Sequence, residues 1–117
     1  FNIPVAYYTC GCIDWTVDDL IEAGVDILQS VQPEANDSSV LKEKFGDRIS
    51  FWGGVGSQST MSGGTVVDVK NEVIHLIETV GRGGGYICSP AHFIEPETPL
   101  ENIDAFVGAI EEYGYYK

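Results

Sequence analysis

Short runs of apolar, β-branched and aromatic residues alternate along this chain with longer stretches whose apolar residues recur every three to four positions. The alternation repeats four times. A strand is predicted over residues 3–9, then a helix over residues 16–23 that puts Val17, Leu20 and Ile21 on one face, with Gly24 as its left-handed stop. The second unit is a strand over residues 25–31 and a short helix over residues 38–45 closed by Gly46. The third opens with Ile49, Ser50, Phe51 and Trp52, passes through a polar glycine-rich loop, and enters a helix over residues 66–80. In that helix Val66, Val69, Val73, Leu76, Ile77 and Val80 keep a helical period. The fourth pairs a strand over residues 86–88 with a helix that Thr98 should cap, with Pro99 at its first position and Glu101 at its third. Ile103, Phe106, Val107 and Ile110 form its predicted buried stripe, and Gly114 ends it.

Strand and helix in strict alternation predict an α/β fold with parallel strands and right-handed crossovers. Two architectures satisfy that rhythm, a piece of a (β/α)8 barrel or an open doubly wound sheet, and both need apolar faces under helices. A complete barrel takes ~250 residues, so four βα units in 117 residues come close to half of one. The chain therefore reads as a single partial domain, residues 1–117. Its start at Phe1, which leads straight into a strand-like run, suggests a fragment.

Composition narrows the class. Hydrophobic residues make up 44% of the chain and no apolar run approaches the ~18 residues of a membrane span. A formal charge of −12 argues against nucleic acid and anionic membranes as partners. Three cysteines, Cys10, Cys12 and Cys88, are too few for a disulfide scaffold and suit reduced thiols in a cytoplasm. The basic residues Lys42, Lys44, Arg48, Lys70, Arg82 and Lys117 fall in helices, in turns leading into strands or at the chain end. None is expected at a site for an acidic substrate.

In parallel α/β folds the active face lies where strands end and loops into helices begin. Those loops carry Cys10 and Cys12 after the first strand, Gln32 and Glu34 after the second, Gln58 after Gly53-Gly54 in the third, and His92 in the fourth. Cys10, Gln32, Gln58 and His92 are expected around one mouth, with Cys10 and His92 closest. A lone Cys-x-Cys serves a tight turn as readily as a metal. Gln32 and Gln58 either bind substrate or satisfy loop backbone. His92, on an irregular loop, is placed for a general acid or a ligand. Cys88 lies inside a strand and reads as a small core hydrophobe. His75 shares the polar side of the third helix with Asn71, Glu72 and Thr79, which reads as solvated. Gly83-Gly84-Gly85 precedes its strand, so it is a close turn on the opposite rim and not a phosphate cradle. Glu95, Glu97 and Glu101 complement the dipole of the last helix.

The motifs, once placed, resemble a known family. Pro4-Val5 through Thr9-Cys10-Gly11, Leu20 through Leu28, Val31-Gln32-Pro33, Phe45-Gly46-Asp47-Arg48, Trp52-Gly53-Gly54, Gly84-Gly85-Tyr86-Ile87 and Thr98 through Ile103 are similar to the C-terminal half of the uroporphyrinogen decarboxylase superfamily. The resemblance implies the C-terminal half, four βα units, of a (β/α)8 TIM barrel. It also implies two chemistries. One branch removes acetate carboxyls from a tetrapyrrole in porphyrin biosynthesis without a cofactor and carries a histidine where His92 stands. The other consists of zinc methyltransferases that move methyl groups between a corrinoid protein and a thiol. Their His-x-Cys motif reads Tyr8-Thr9-Cys10 here, and His92 holds the place of their further cysteine. The decarboxylases lack the Cys10-Gly11 element, while Gly56 replaces an Asp common in the methyltransferases.

The lead expectation is therefore a fragment of a carboxy-lyase in which His92 is catalytic, Tyr8, Gln32 and Gln58 contact a tetrapyrrole, and no cofactor is used. The alternative is a methyltransferase with Cys10 and His92 as zinc ligands and a corrinoid protein as partner. A degenerate, non-catalytic barrel is the third reading. In each, the missing N-terminal half or a second copy completes the barrel.

Overall fold

Strand registers and helix positions follow from a computed structural model that describes residues 2–115. The expectations attached to Phe1 and Lys117 lie outside those residues. The order of elements is β1 (Ala6–Tyr8), α1 (Val17–Glu22), β2 (Ile27–Gln29), α2 (Ser38–Phe45), β3 (Ser50–Val55), α3 (Val66–Thr79), β4 (Tyr86–Pro90) and α4 (Leu100–Tyr113). All strand pairs are parallel and the sheet order is β1-β2-β3-β4, so each helix between two strands is a crossover to the neighbouring strand. This is four consecutive βα units of an α/β barrel.

Alternation along the strands separates two faces. Leu28 and Phe51 sit side by side in the register and are fully buried, together with Val69, Val73 and Leu76 of α3, Leu41 and Phe45 of α2, and Val17 of α1. Tyr8, Gln29, Trp52 and Ile87 form the adjacent register row, and there Tyr8 is 52% and Ile87 46% exposed. The first row packs under helices. The second lines the concave side that a closed barrel turns inward.

Several boundaries differ from the sequence expectation. β1 and β2 are shorter than the apolar runs that suggested them. β3 is longer, because β4 pairs alongside it as far as Pro90 and the Ala91 N–H donates to the Val55 carbonyl at 2.8 Å. Gly53 and Gly54 therefore belong to the strand, with φ of 119° and 92° that only glycine adopts readily. The loop beyond them folds into a π-helical turn, Ser57–Ser62. Thr98 does not cap α4. Its hydroxyl bonds to Ser62 Oγ at 2.9 Å, and Pro99 stands at the N-cap without a side-chain bond.

The stripe of α4 is also corrected. Asn102 and Ala109 are its buried residues, Ile103, Phe106 and Ile110 are half-buried, and Val107 is 48% exposed. α4 lies along α3, so the face toward α3 is sealed and the flank bearing Val107 is left open among the described residues. Asn102 is tolerated inside because its Nδ2 donates to the Met61 and Gly64 carbonyls, each at 2.9 Å, which ties α4 to the π-helical turn. Gly83, Gly84 and Gly85 all have positive φ and make the close turn expected of them, with Lys42 Nζ donating to the Gly84 carbonyl.

Candidate active site

Four loops meet at the C-terminal ends of the strands. The Tyr8 hydroxyl, from the end of β1, lies 2.9 Å from His92 Nδ1, in the loop after β4, and the rings meet edge-on with centroids 6.2 Å apart. The Cys10 thiol donates to the same hydroxyl at 3.4 Å. Tyr8 is thus the joint between Cys10 and His92. Hydrogen bonding with Cys10 raises the Tyr8 phenol pKa, desolvation and the Cys10 charge add to that, and Ser30 pulls it back. The backbone N–H of His92 donates to Ser57 Oγ at 2.8 Å, so the π-helical turn fixes the loop that carries the imidazole. Such turns are frequent at functional sites.

Gln32 accepts from the Gly11 N–H at 3.4 Å, which makes it a loop-ordering residue in this geometry. Gln58 is exposed within the π-helical turn and makes no side-chain bond among the described residues. Cys12 is exposed as well. Cys88 packs half-buried against the core, as expected, and burial pushes its thiol pKa up. His75 is exposed on α3.

Glu72 departs from the solvated role expected for it. It is half-buried, accepts from the Gly56 N–H at 3.4 Å, and has its carboxyl pKa raised, mainly by burial. It borders a cavity of about 430 Å³ with Asn36, Asp37 and His75. Asn36 is a second residue that sequence pattern does not single out. Its Nδ2 donates to the Gly11 and Gln32 carbonyls and its Oδ1 accepts from the Ile13 N–H, so one amide clamps the Cys10–Gly11–Cys12 turn.

Ser30 is the third. It follows β2 with φ of 66°, the one positive φ outside glycine among the described residues, a conformation that costs about 1–2 kcal/mol for an L-residue. It is fully buried, and its Oγ has no hydrogen-bond partner.

Three basic side chains are paired with carboxylates. Lys44 pairs with Asp14, Arg48 with Asp18 and Lys70 with Glu112. Cys10 and His92 are suitable zinc donors, zinc needs at least three protein ligands, and among the described residues no group of three His, Cys, Asp or Glu could hold a metal, so a zinc site here would take its further ligand from outside this chain. The side chain that joins the two donors is the Tyr8 phenol. No helix among the described residues is long and apolar enough to cross a membrane.

The family model for uroporphyrinogen decarboxylase (URO-D) matches residues 1–113. The chain belongs to the URO-D family. Relatives within it fall into both chemistries. The Methylcobamide:CoM methyltransferase MtaA of Methanosarcina barkeri is 32% identical over 112 residues, 96% of this chain and 32% of its own length. A uroporphyrinogen decarboxylase of Pseudoalteromonas translucida is 26% identical over 118 residues, 99% of this chain and 32% of its own length. A solved methyltransferase from Methanosarcina mazei superposes with a TM-score of 0.80 at 30% identity, covering 97% of this chain and 32% of that one. The chain thus spans about a third of the length of the URO-D family relatives it matches, and its fold is the TIM-barrel fold of the superfamily.

Proposed function

We propose that this chain supplies the proton-transfer residues of a carboxy-lyase that decarboxylates the acetate side chains of a tetrapyrrole. The observation that carries the reading is the 2.9 Å contact between Tyr8 Oη and His92 Nδ1 at the barrel mouth. One ring nitrogen is held by a phenol, which fixes the imidazole and leaves Nε2 to exchange a proton with substrate. His92 protonates a pyrrole carbon. The electron pair of the bond to the carboxylate then flows into the ring as carbon dioxide leaves, a proton from solvent converts the resulting methylene into a methyl group, and the first proton leaves the ring carbon to restore the aromatic pyrrole, so that one proton is consumed in all. No cofactor enters these steps. The cations that an acidic tetrapyrrole requires come, in this reading, from barrel strands outside the chain, and Gln32 and Gln58 border the substrate.

A second reading, methyl transfer between a corrinoid protein and a thiol, is favoured by one specific feature. Cys10 brings a thiol to within 3.4 Å of the Tyr8 hydroxyl, and decarboxylation has no use for it. The higher identity to the methyltransferases points the same way. Zinc and a corrinoid partner belong to that reading alone. The complete protein, assayed with uroporphyrinogen and separately with a methylated corrinoid plus thiol, is expected to release carbon dioxide from the first. Methyl transfer by a preparation holding stoichiometric zinc would overturn the decarboxylase reading.

A further inference from the structure

Two irregular stretches of backbone meet at one level of the sheet. On β2, plain alternation from Gln29 would bring Val31 to the concave side, but Ser30 takes a φ of 66° and Val31 joins the core under the helices. On β3, alternation from Trp52 would bring Gly54 to the concave side, but Gly53 and Gly54 have φ of 119° and 92°. A Cβ at Gly54 would meet Tyr86 Oη at 3.0 Å and the Leu76 side chain at 3.5 Å, on the helix side. The two departures fit each other. The Ser30 N–H donates to the Trp52 carbonyl at 2.9 Å, and a Cβ at Gly53 would stand 3.3 Å from the Val31 nitrogen.

The consequence is a clearing above one pair of side chains. Gln29 and Trp52 are partners in the register, level with Tyr8 on the concave side. Between them and the mouth, β2 and β3 place no large side chain on that side, because Val31 and Val55 belong to the core and the two glycines have none. Both side chains of the pair are half-buried, and neither makes a side-chain hydrogen bond among the described residues. The interiors of such barrels are filled mostly by branched aliphatic side chains. A carboxamide and an indole N–H enclosed there without partners would cost stability. They suit a ligand that brings hydrogen-bond acceptors and a flat apolar surface.

We propose that Gln29 and Trp52 form the floor of the substrate site, the indole face carrying one flat ring of the substrate while the carboxamide and the indole N–H donate to its carboxylates. Side chains from the opposite strands cover the row from across the barrel, and its side toward the mouth stays open to substrate. The identity of the ring, a pyrrole bearing acetate, rests on the carboxy-lyase reading, whereas the floor rests on the backbone of β2 and β3.

The test uses Trp52→Leu, Trp52→Phe and Gln29→Leu in the complete enzyme. Trp52→Leu is expected to raise KM for uroporphyrinogen about tenfold, while Trp52→Phe, which keeps a flat ring, stays within about threefold of wild type. Gln29→Leu, similar in size and without donors, is expected to raise KM about fivefold with no fall in the thermal midpoint. The indole ¹⁵N–¹H resonance of Trp52, identified by its loss in Trp52→Phe, should move when uroporphyrinogen is added. A wild-type KM in Trp52→Leu would overturn the proposal, as would an indole resonance that substrate leaves in place, since either means that the indole only packs against the opposite strands. If Trp52→Leu fails to fold, the resonance and Gln29→Leu decide in the same way. If wild-type enzyme neither binds nor turns over uroporphyrinogen, the carboxy-lyase reading fails by itself, and the resonance is followed with a methylated corrinoid instead. Movement then upholds the floor, and a resonance still in place overturns it.

Discussion

Glu72 carries a cost that its hydrogen bonds only partly offset. Burial raises its carboxyl pKa, so the folded state holds its proton more tightly than the unfolded chain does. Its contribution is present in full below the unfolded pKa and is lost as pH rises through the folded value. Glu72→Gln, which keeps an acceptor for the Gly56 N–H, is expected to raise the thermal midpoint at pH 7 relative to wild type and to leave it unchanged near pH 4. A variant equally displaced at both pH values would show that charge is not the cause. Asp37 and Asp68 act with the opposite sign. Helix-start hydrogen bonds, from Val40 and Ser39 to one and from Thr65 to the other, lower their pKa values, so their contribution is lost as pH falls through the folded values. At the mouth, His92→Ala is expected to lower turnover ~10²-fold or more if His92 is a general acid, while His75→Ala, on the exposed side of α3, stays near wild type. Equal losses would mean that the site is misplaced. That Cys10 and His92 would face one mouth was legible in the sequence because a strand end in a parallel fold is a predictable address, whereas Tyr8 came only from the resemblance of Tyr8-Thr9-Cys10 to a family motif. Ser30, Asn36 and Glu72 were not legible, because a left-handed φ, a clamp on another loop and a half-buried carboxylate are settled by tertiary neighbours.

Among the elements, α4 shows how periodicity both guides and misleads. The helix itself was plain from the spacing of Ile103, Phe106 and Ile110, yet its sealed position belongs to Asn102, a residue that hydropathy assigns to the outside. Asn102→Ala would leave the Met61 and Gly64 carbonyls unpaired at the junction with the π-helical turn, at an expected cost of ~1–3 kcal/mol. Chemical denaturation of the complete protein measures this, and a change below ~0.5 kcal/mol would show that the junction is solvated. The extension of β3 through Gly53 and Gly54 was hidden for a related reason. A glycine pair reads as loop in isolation, whereas here pairing with β4 holds the backbone in the sheet. Thr98 had the sequence of a cap and the position of a brace.

At the level of the molecule, the half-open row of Tyr8, Gln29, Trp52 and Ile87 defines what the chain leaves uncovered. In a closed barrel that row packs against side chains from the opposite strands. The isolated 117-residue chain is therefore expected to self-associate and to be inactive in both candidate reactions, as measured by size exclusion with light scattering and by direct assay. A cooperatively unfolding monomer, or turnover by this chain alone, would refute that. The Tyr8–His92 contact has a consequence for assembly in time. It joins residues 84 positions apart, the widest separation of any side-chain hydrogen bond among the described residues. Contacts of such long range carry the largest loop-closure entropy and form after local ones. All four strands must be in register before the phenol meets the imidazole, so a partly folded or truncated chain on its way to the native state has its fold in large measure and its chemistry not at all.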